Sequence, residues 1–173
     1  MKIGMRHLHL FILLFAASSL LFQLPPEAFA STPSDITAAG TIQEHVVTSP
    51  ELHGAHGVST FTIGTSTYAI VTSMSDDGVQ MIDISNPAGI VAKDAQDDGD
   101  AGGFDELEEA LDVDTFMIGS STYAIVVSEK NENGVQMLNI TDPTTITATD
   151  AETDGVNGFT ELDGASSVDT FTI

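Results

Sequence analysis

The chain contains no cysteine among its 173 residues, and only four lysine or arginine residues against 26 aspartate or glutamate residues. Without disulfides, an exported domain of this sequence must be held together by its apolar core or by bound metal. The net charge of −22 argues against nucleic acid and anionic lipid as partners, because both need clustered basic side chains. The sequence also lacks a helical spacing of apolar residues, which lie after residue 30 in short runs typical of strands.

The longest apolar run lies at the N-terminus, between a basic start and a small-x-small site that ends at Ala30. This pattern predicts a secretory signal peptide over residues 1–30. The alternative is an uncleaved membrane anchor, which the short run Leu10–Phe22 and its two serines disfavour. We expect an extracellular or cell-surface protein with no membrane span after signal removal, in which Lys93 and Lys130 are the remaining basic residues.

One long segment of the chain occurs twice. Thr67–Pro87 contains TYAIVTS and GVQMIDISNP, and Thr122–Pro143 contains TYAIVVS and GVQMLNITDP. Leu52, Leu107 and Leu162 mark a spacing of 55 residues, which is typical of solenoids, propellers or arrays. The chain therefore divides into a leader or edge strand at 31–51, a first unit at 52–106, a second at 107–161 and the start of a third at 162–173.

Each unit contains four strand-like segments rich in β-branched and aromatic residues. In the first unit they lie at 58–63, 68–72, 79–84 and 90–94. The second and third segments are almost continuously apolar, so we expect them to be buried on both faces, whereas the fourth alternates as a half-exposed outer strand does. Gly78 and Gly134 close the loop between the second and third segments, and each can take a positive φ there.

This organisation predicts an all-β fold made of β-propeller blades, each a four-stranded antiparallel sheet. A single blade cannot bury both faces of its sheet, so its neighbours must cover them. Two units and a partial third are too few for a closed ring, since propellers have four to eight blades. We expect an incomplete propeller with further blades of the same chain missing, or, if the chain is complete, strand edges paired by another copy.

The segments Gly78–Pro87 and Gly134–Pro143, each preceded by TYAIV, resemble the LVIVD-repeat family. The resemblance covers Val58–Pro87 and Val113–Pro143, although Asn139 stands where Asp83 does and the units are longer than that family's usual repeat. It implies an extracellular β-propeller without an assigned chemistry.

The segments between units are the most acidic part of the chain, and their spacing suggests calcium. Calcium loops place carboxylates at alternate positions around a glycine turn. The candidate ligands are Asp94, Asp98 and Asp105 in the first segment, with Gly99 at the turn, and Asp150, Glu152, Asp154 and Glu161 in the second, with Gly155 at the turn. Strand-like flanks exclude a true EF-hand, so a calcium loop between strands and a plain solvated turn both remain open.

Other chemistry has few candidates. Asn139 begins the sequon Asn-Ile-Thr and is a candidate for N-glycosylation, with an ordinary strand-ending asparagine as the alternative. No nucleophile elbow, P-loop or dinucleotide fingerprint is present, and carboxylate pairs are too frequent to mark a glycosidase.

Three functions follow, of which we favour the first. The chain is a secreted module, not an enzyme, that binds an extracellular protein or glycan or acts as a scaffold. The second hypothesis is calcium-dependent adhesion or surface structure, and the third is a secreted propeller hydrolase.

Overall fold

The computed structural model describes residues 52–129 and 133–171. The predicted signal peptide and the segment 31–51 lie outside these residues. The described residues contain eight strands and no helix: β1 Ala55–Ile63, β2 Ser66–Ser73, β3 Gly78–Asp83, β4 Val91–Asp97, β5 Ala110–Ile118, β6 Ser121–Ser128, β7 Gly134–Asn139 and β8 Thr147–Thr153. Within them, no helix is long and apolar enough to cross a membrane.

The strands form two sheets of the same design. Sheet A has the order β1-β2-β3-β4 and sheet B the order β5-β6-β7-β8, and each strand pairs antiparallel with the next. The prediction of two units, each a four-stranded antiparallel sheet, is therefore confirmed. The repeat extends to irregularities, since Ala55 and Ala110 precede a register shift at the start of each first strand.

Short glycine turns join the first two strands of each sheet. Ile63 pairs with Ser66 and Ile118 pairs with Ser121, so each hairpin has a two-residue loop. Its first residue is Gly64 with φ of 62° in sheet A and Gly119 with φ of 63° in sheet B. A positive φ at the first loop position is the pattern of a type II′ turn, which suits the twist of antiparallel strands.

The second loop differs from this interpretation of its glycine. The positive φ lies one residue before Gly78 and Gly134, at Asp77 with 57° and Asn133 with 44°. Asp and Asn tolerate this conformation better than other non-glycine residues. At Gly134 the glycine is needed for space instead, because a Cβ atom there would lie 1.9 Å from Glu106 Oε2 and 2.8 Å from the Glu152 carbonyl oxygen.

The two sheets pack face to face around one apolar core. Sheet A contributes Tyr68, Ile70, Val79 and Met81 from one face of β2 and β3. Sheet B and the connection before it cover this face with Phe104, Leu107, Ala110, Val113, Ala124, Val126, Leu138, Ile140 and Ile146. Ile70, Val79 and Met81 are completely buried, so the apolar face of one unit is removed from water by the next unit.

The first strands of successive units lie side by side. His56 Nδ1 lies 2.9 Å from the Leu111 carbonyl oxygen, and Ser59 Oγ lies 2.9 Å from Thr115 Oγ1. These contacts join residues 55 or 56 positions apart. Because this offset changes by no more than one residue along the two strands, β1 and β5 run parallel. Residues 165–171 continue the series beside β5, although they form no ladder with it.

We expect Gly57→Ala to weaken the contact between the first strands. A Cβ atom at Gly57 would lie 2.7 Å from the Leu111 carbonyl oxygen and 2.8 Å from Asp112 Cα, so backbone would have to move. The free energy of unfolding should fall by about 1–3 kcal/mol, measured by urea titration. Gly89→Ala is the matched control, because its closest new contact is an ordinary 3.4 Å; equal losses in both variants would contradict this account.

Candidate functional site

The acidic connections between units are ordered by their own carboxylates. Asp98 Oδ1 accepts a hydrogen bond from the Leu107 amide at 3.0 Å, and Asp154 Oδ1 accepts one from the Leu162 amide at 2.8 Å. Gly99 and Gly155 follow with φ of 76° and 78°. The Asp-Gly pairs that suggested a calcium loop therefore close the same backbone turn in both units, and each holds the leucine that begins the next unit.

The other predicted ligands take separate positions. Asp94 Oδ2 accepts from the Ile146 amide at 2.6 Å, and Glu152 Oε2 accepts from Asn157 Nδ2 at 3.0 Å. Asp150 Oδ1 accepts from the Ala151 amide at 3.1 Å. Asp105 and Glu161 are exposed.

In residues 52–129 and 133–171, no three Asp, Glu or His side chains come together as a group that could hold a metal ion. Calcium binding at these residues stays a prediction.

A glutamine that the sequence reasoning did not single out joins the two units. Gln136 is fully buried on β7; its Oε1 accepts from the Asp105 amide at 3.0 Å and from the Glu106 amide at 3.2 Å. Its Nε2 donates to the Asp150 carbonyl oxygen at 2.8 Å. One side chain thus ties the end of the first connection to two strands of sheet B. The sequence did offer a sign of this role, because a glutamine occurs at the same place in both apolar third strands, as Gln80 and Gln136.

Gln80 occupies the same repeat position as Gln136, but only its Nε2 group has the equivalent hydrogen bond. Its Nε2 donates to the Asp94 carbonyl oxygen at 2.6 Å, as Gln136 does to the Asp150 carbonyl oxygen. Gln80 Oε1 is buried and has no hydrogen-bond donor in the described part of the chain. Gln80 projects from the face of sheet A that points away from sheet B, so the two glutamines differ in what approaches them.

Two aspartates on β5 receive the segment that follows sheet B. Asp112 Oδ2 accepts from Ser167 Oγ at 2.9 Å and from the Val168 amide at 3.0 Å. Asp114 Oδ2 accepts from the Thr170 amide at 2.7 Å and from Thr170 Oγ1 at 2.5 Å. Asp114 and Thr170 stand 55 residues after Ser59 and Thr115, so the contact between the first two units recurs at the start of the third.

Burial by itself would raise the pKa of Asp114, but hydrogen bonds from Thr170, Thr115 and Ser59 outweigh it and hold the pKa below its ordinary value. Its ionised form is therefore favoured in the folded chain.

The outer face of sheet B carries an open apolar groove of about 250 Å³. Its lining residues are Ile125, Val135, Met137, Asp150, Ala151, Glu152 and Phe159. Ile125, Val135 and Met137 occupy the repeat positions of Ile70, Val79 and Met81, but they are only half-buried. Phe159 is 41% exposed, whereas Phe104 at the same repeat position is 3% exposed. The groove is thus the equivalent, on sheet B, of the face that sheet A buries against sheet B, and none of the described residues covers it.

The predicted glycosylation residue lies at the end of β7. Asn139 is half-buried, and its Oδ1 accepts from the Thr141 amide at 3.0 Å. Thr141 Oγ1 in turn accepts from the Thr122 amide at 3.0 Å. The sequon side chains thus take part in closing this turn, and modification of Asn139 stays a prediction.

No family model matches the chain, and no curated protein matches it. The resemblance to the LVIVD-repeat family therefore stays a prediction.

We expect Gln136→Leu to destabilise the chain more than Gln80→Leu. Loss of Gln136 leaves two amides without their acceptor, at a cost of about 1–3 kcal/mol for a buried group. Loss of Gln80 also removes a buried oxygen that has no donor in the described residues. Urea titration of both variants checks the order, and a larger loss for Gln80→Leu would show that Gln136 does not join the units.

Asp98→Ala should lower stability even when calcium is chelated, because the Leu107 amide loses a charged acceptor. The expected loss of unfolding free energy is about 1–3 kcal/mol, measured with and without EDTA. In EDTA, Asp105→Ala is the control, because its exposed side chain belongs to the same connection and no calcium is then bound. A loss seen only when calcium is present would instead identify Asp98 as a calcium ligand.

Asp114→Asn should reduce stability at neutral pH but not at low pH. Because the folded-state pKa of Asp114 is lowered, its contribution is complete above the unfolded value of about 3.9 and is lost as pH falls through the folded value. The difference in urea midpoint between wild type and variant should be constant from about pH 5 to 7 and shrink below about pH 4. A difference that grows on acidification would be inconsistent with the hydrogen bonds from Thr170 and Ser59.

Proposed function

We propose that this chain is a secreted or cell-surface β-propeller module that binds or scaffolds extracellular molecules and catalyses no reaction. The observation that carries the proposal is the constant register of the first strands. The contacts of His56 with Leu111, Ser59 with Thr115 and Asp114 with Thr170 repeat an offset of 55 or 56 residues along the chain. Blades of a propeller place their first strands around a common axis in this way.

The shared core supports the same architecture. Each sheet has two apolar faces. One face of sheet A is covered by sheet B rather than by a helix. Radial repetition of four-stranded sheets is how antiparallel proteins cover both faces while leaving only short outer edges. The half-exposed outer strands β4 and β8 fit the rim of such a ring. Membership of the LVIVD-repeat family is part of this proposal.

The loops at one end of the sheets are the proposed contact surface. The β2–β3 loop meets the connection between units there, since Asp77 Oδ1 accepts from the Glu109 amide at 2.8 Å and the Asp77 carbonyl oxygen accepts from the Asp98 amide at 2.7 Å. Loops on a rigid scaffold commonly carry binding sites. Their acidity favours an extracellular protein or a glycan as partner over nucleic acid or anionic lipid.

Export can be tested on the full chain. Expressed in a host with a general secretion pathway, the protein should leave the cytoplasm with its first residue at Ser31, as the predicted cleavage site requires. Intact-mass measurement of the secreted protein checks the position. Retention of residues 1–30 on a membrane-associated protein would show that the segment is an anchor.

The non-catalytic role can be tested on the secreted protein. Incubation with panels of esters, glycosides and phosphate esters should give no product above that of a heat-denatured sample. Turnover that a single substitution abolishes, with the fold intact by circular dichroism, would replace the binding proposal by an enzyme.

A further inference from the structure

The groove on the outer face of sheet B repeats a face whose partner is known. On sheet A the residues Ile70, Val79 and Met81 are completely buried by sheet B. On sheet B the residues at the same repeat positions surround an open volume of about 250 Å³. Identical or nearly identical side chains therefore have a partner in one unit and lack one, within the described residues, in the next.

The segment after the groove already follows the course of the next unit. The Gly155 amide donates to the Phe159 carbonyl oxygen at 2.5 Å, as the Gly99 amide donates to the Phe104 carbonyl oxygen at 2.6 Å. The Ala165 amide donates to the Leu162 carbonyl oxygen at 2.9 Å, as the Ala110 amide does to the Leu107 carbonyl oxygen at 3.1 Å. The path that leads from sheet A into its covering sheet is thus repeated beyond sheet B, up to residue 171.

We propose that the groove is a docking site for a further unit of this repeat, which covers sheet B as sheet B covers sheet A. The docking face of that unit has a stated chemistry. It presents small and β-branched residues from its second strand, as Ala124 and Val126 do. It presents larger aliphatic residues from its third strand and from the residue just after it, as Leu138 and Ile140 do. Asp112 and Asp114 hold its first strand through backbone amides and hydroxyls.

The alternative occupants fit the observations less well. A second copy that offered sheet A would have to place β1 where residues 165–171 already bond to Asp112 and Asp114. Two copies that met through the same groove would bring Asp150 and Glu152 of each against the other, which like charges oppose. A small apolar ligand would not explain why residues 162–171 repeat the hydrogen bonds that lead from sheet A into sheet B.

This inference rests on the proposed stacking of units and can fail separately from the proposed non-catalytic role. The test lengthens the full chain after Ile173 with a second copy of residues 119–173, which completes a third unit. Leucine replaces the one methionine of the added copy, the equivalent of Met137, so that every oxidised methionine peptide comes from the original chain. Hydrogen peroxide oxidation of each methionine is then followed by mass spectrometry, since exposed thioethers oxidise to sulfoxides.

Two methionines of the original chain provide reference rates of oxidation. Met81 is completely buried and Met117 is 63% exposed, so they set the slow and fast limits. Met137 is half-buried in the original chain, and its rate should fall in the lengthened chain to that of Met81, by about tenfold or more for a site that reacts only after local opening. The rate of Met117 is a control for general protection.

Two variants of the added copy separate docking from mere lengthening. The substitution Leu138→Glu, made only at the equivalent position of the added copy, should leave Met137 as reactive as in the original chain, because the docking face then carries a charge. Thr147→Glu, made at the equivalent exposed position of the added copy, should keep Met137 protected.

An unchanged Met137 rate beside an added copy that circular dichroism shows to be folded would overturn the proposal. Protection of Met137 that grows with the concentration of the unlengthened chain would overturn it too, in favour of a second copy as the occupant.

Discussion

The structure depends on the removal from water of the apolar face that β2 and β3 present to sheet B. Ile70, Val79 and Met81 have no exposed surface, and nearly every side chain that covers them comes from residues after β4. Burial of each such side chain contributes about 1.5–3 kcal/mol before the entropy of ordering is subtracted. Burial of one face of sheet A therefore depends on residues that lie outside sheet A.

Polar contacts between units set the register of this apolar packing rather than its strength. Apolar faces tolerate sliding, but the acceptors offered by Gln136, Asp94 and Asp98 fit only one alignment of amides. The first strands add a second constraint through Ser59 and Thr115. Apolar packing thus supplies most of the stability of the interface, and the buried hydrogen bonds fix its alignment, as they commonly do in otherwise apolar interfaces.

The strands could be predicted from the sequence because their signals are local. Runs of β-branched residues bounded by Gly64, Gly119 or an X-Pro pair identify strand type and length within a few residues. The early start of β1 and β5 could not be predicted, because it depends on a register shift against the partner strand. The positive φ before Gly134 was missed because a glycine suggests backbone freedom, whereas here it makes room for Glu106.

The carboxylates show a different limit of sequence reasoning. Alternating acids around Asp-Gly are the ligand pattern of a calcium loop, but the same short side chains also accept backbone amides in tight turns. Asp98 and Asp154 do the latter, and spacing alone does not separate the two uses. Gln136 was overlooked for the opposite reason. Within an apolar strand a glutamine is an exception to the pattern, and its role depends on the amides of another unit that donate to it.

The dependence of sheet A on later residues has a consequence for synthesis. Its fourth strand ends at Asp97, but its cover is complete only when β7, Ile140 and Ile146 have followed. At an elongation rate of about 5–20 residues per second, one apolar face of the finished first sheet stays exposed to water for several seconds. During that interval the apolar face of the first sheet is open to chaperones and to association with other unfinished chains.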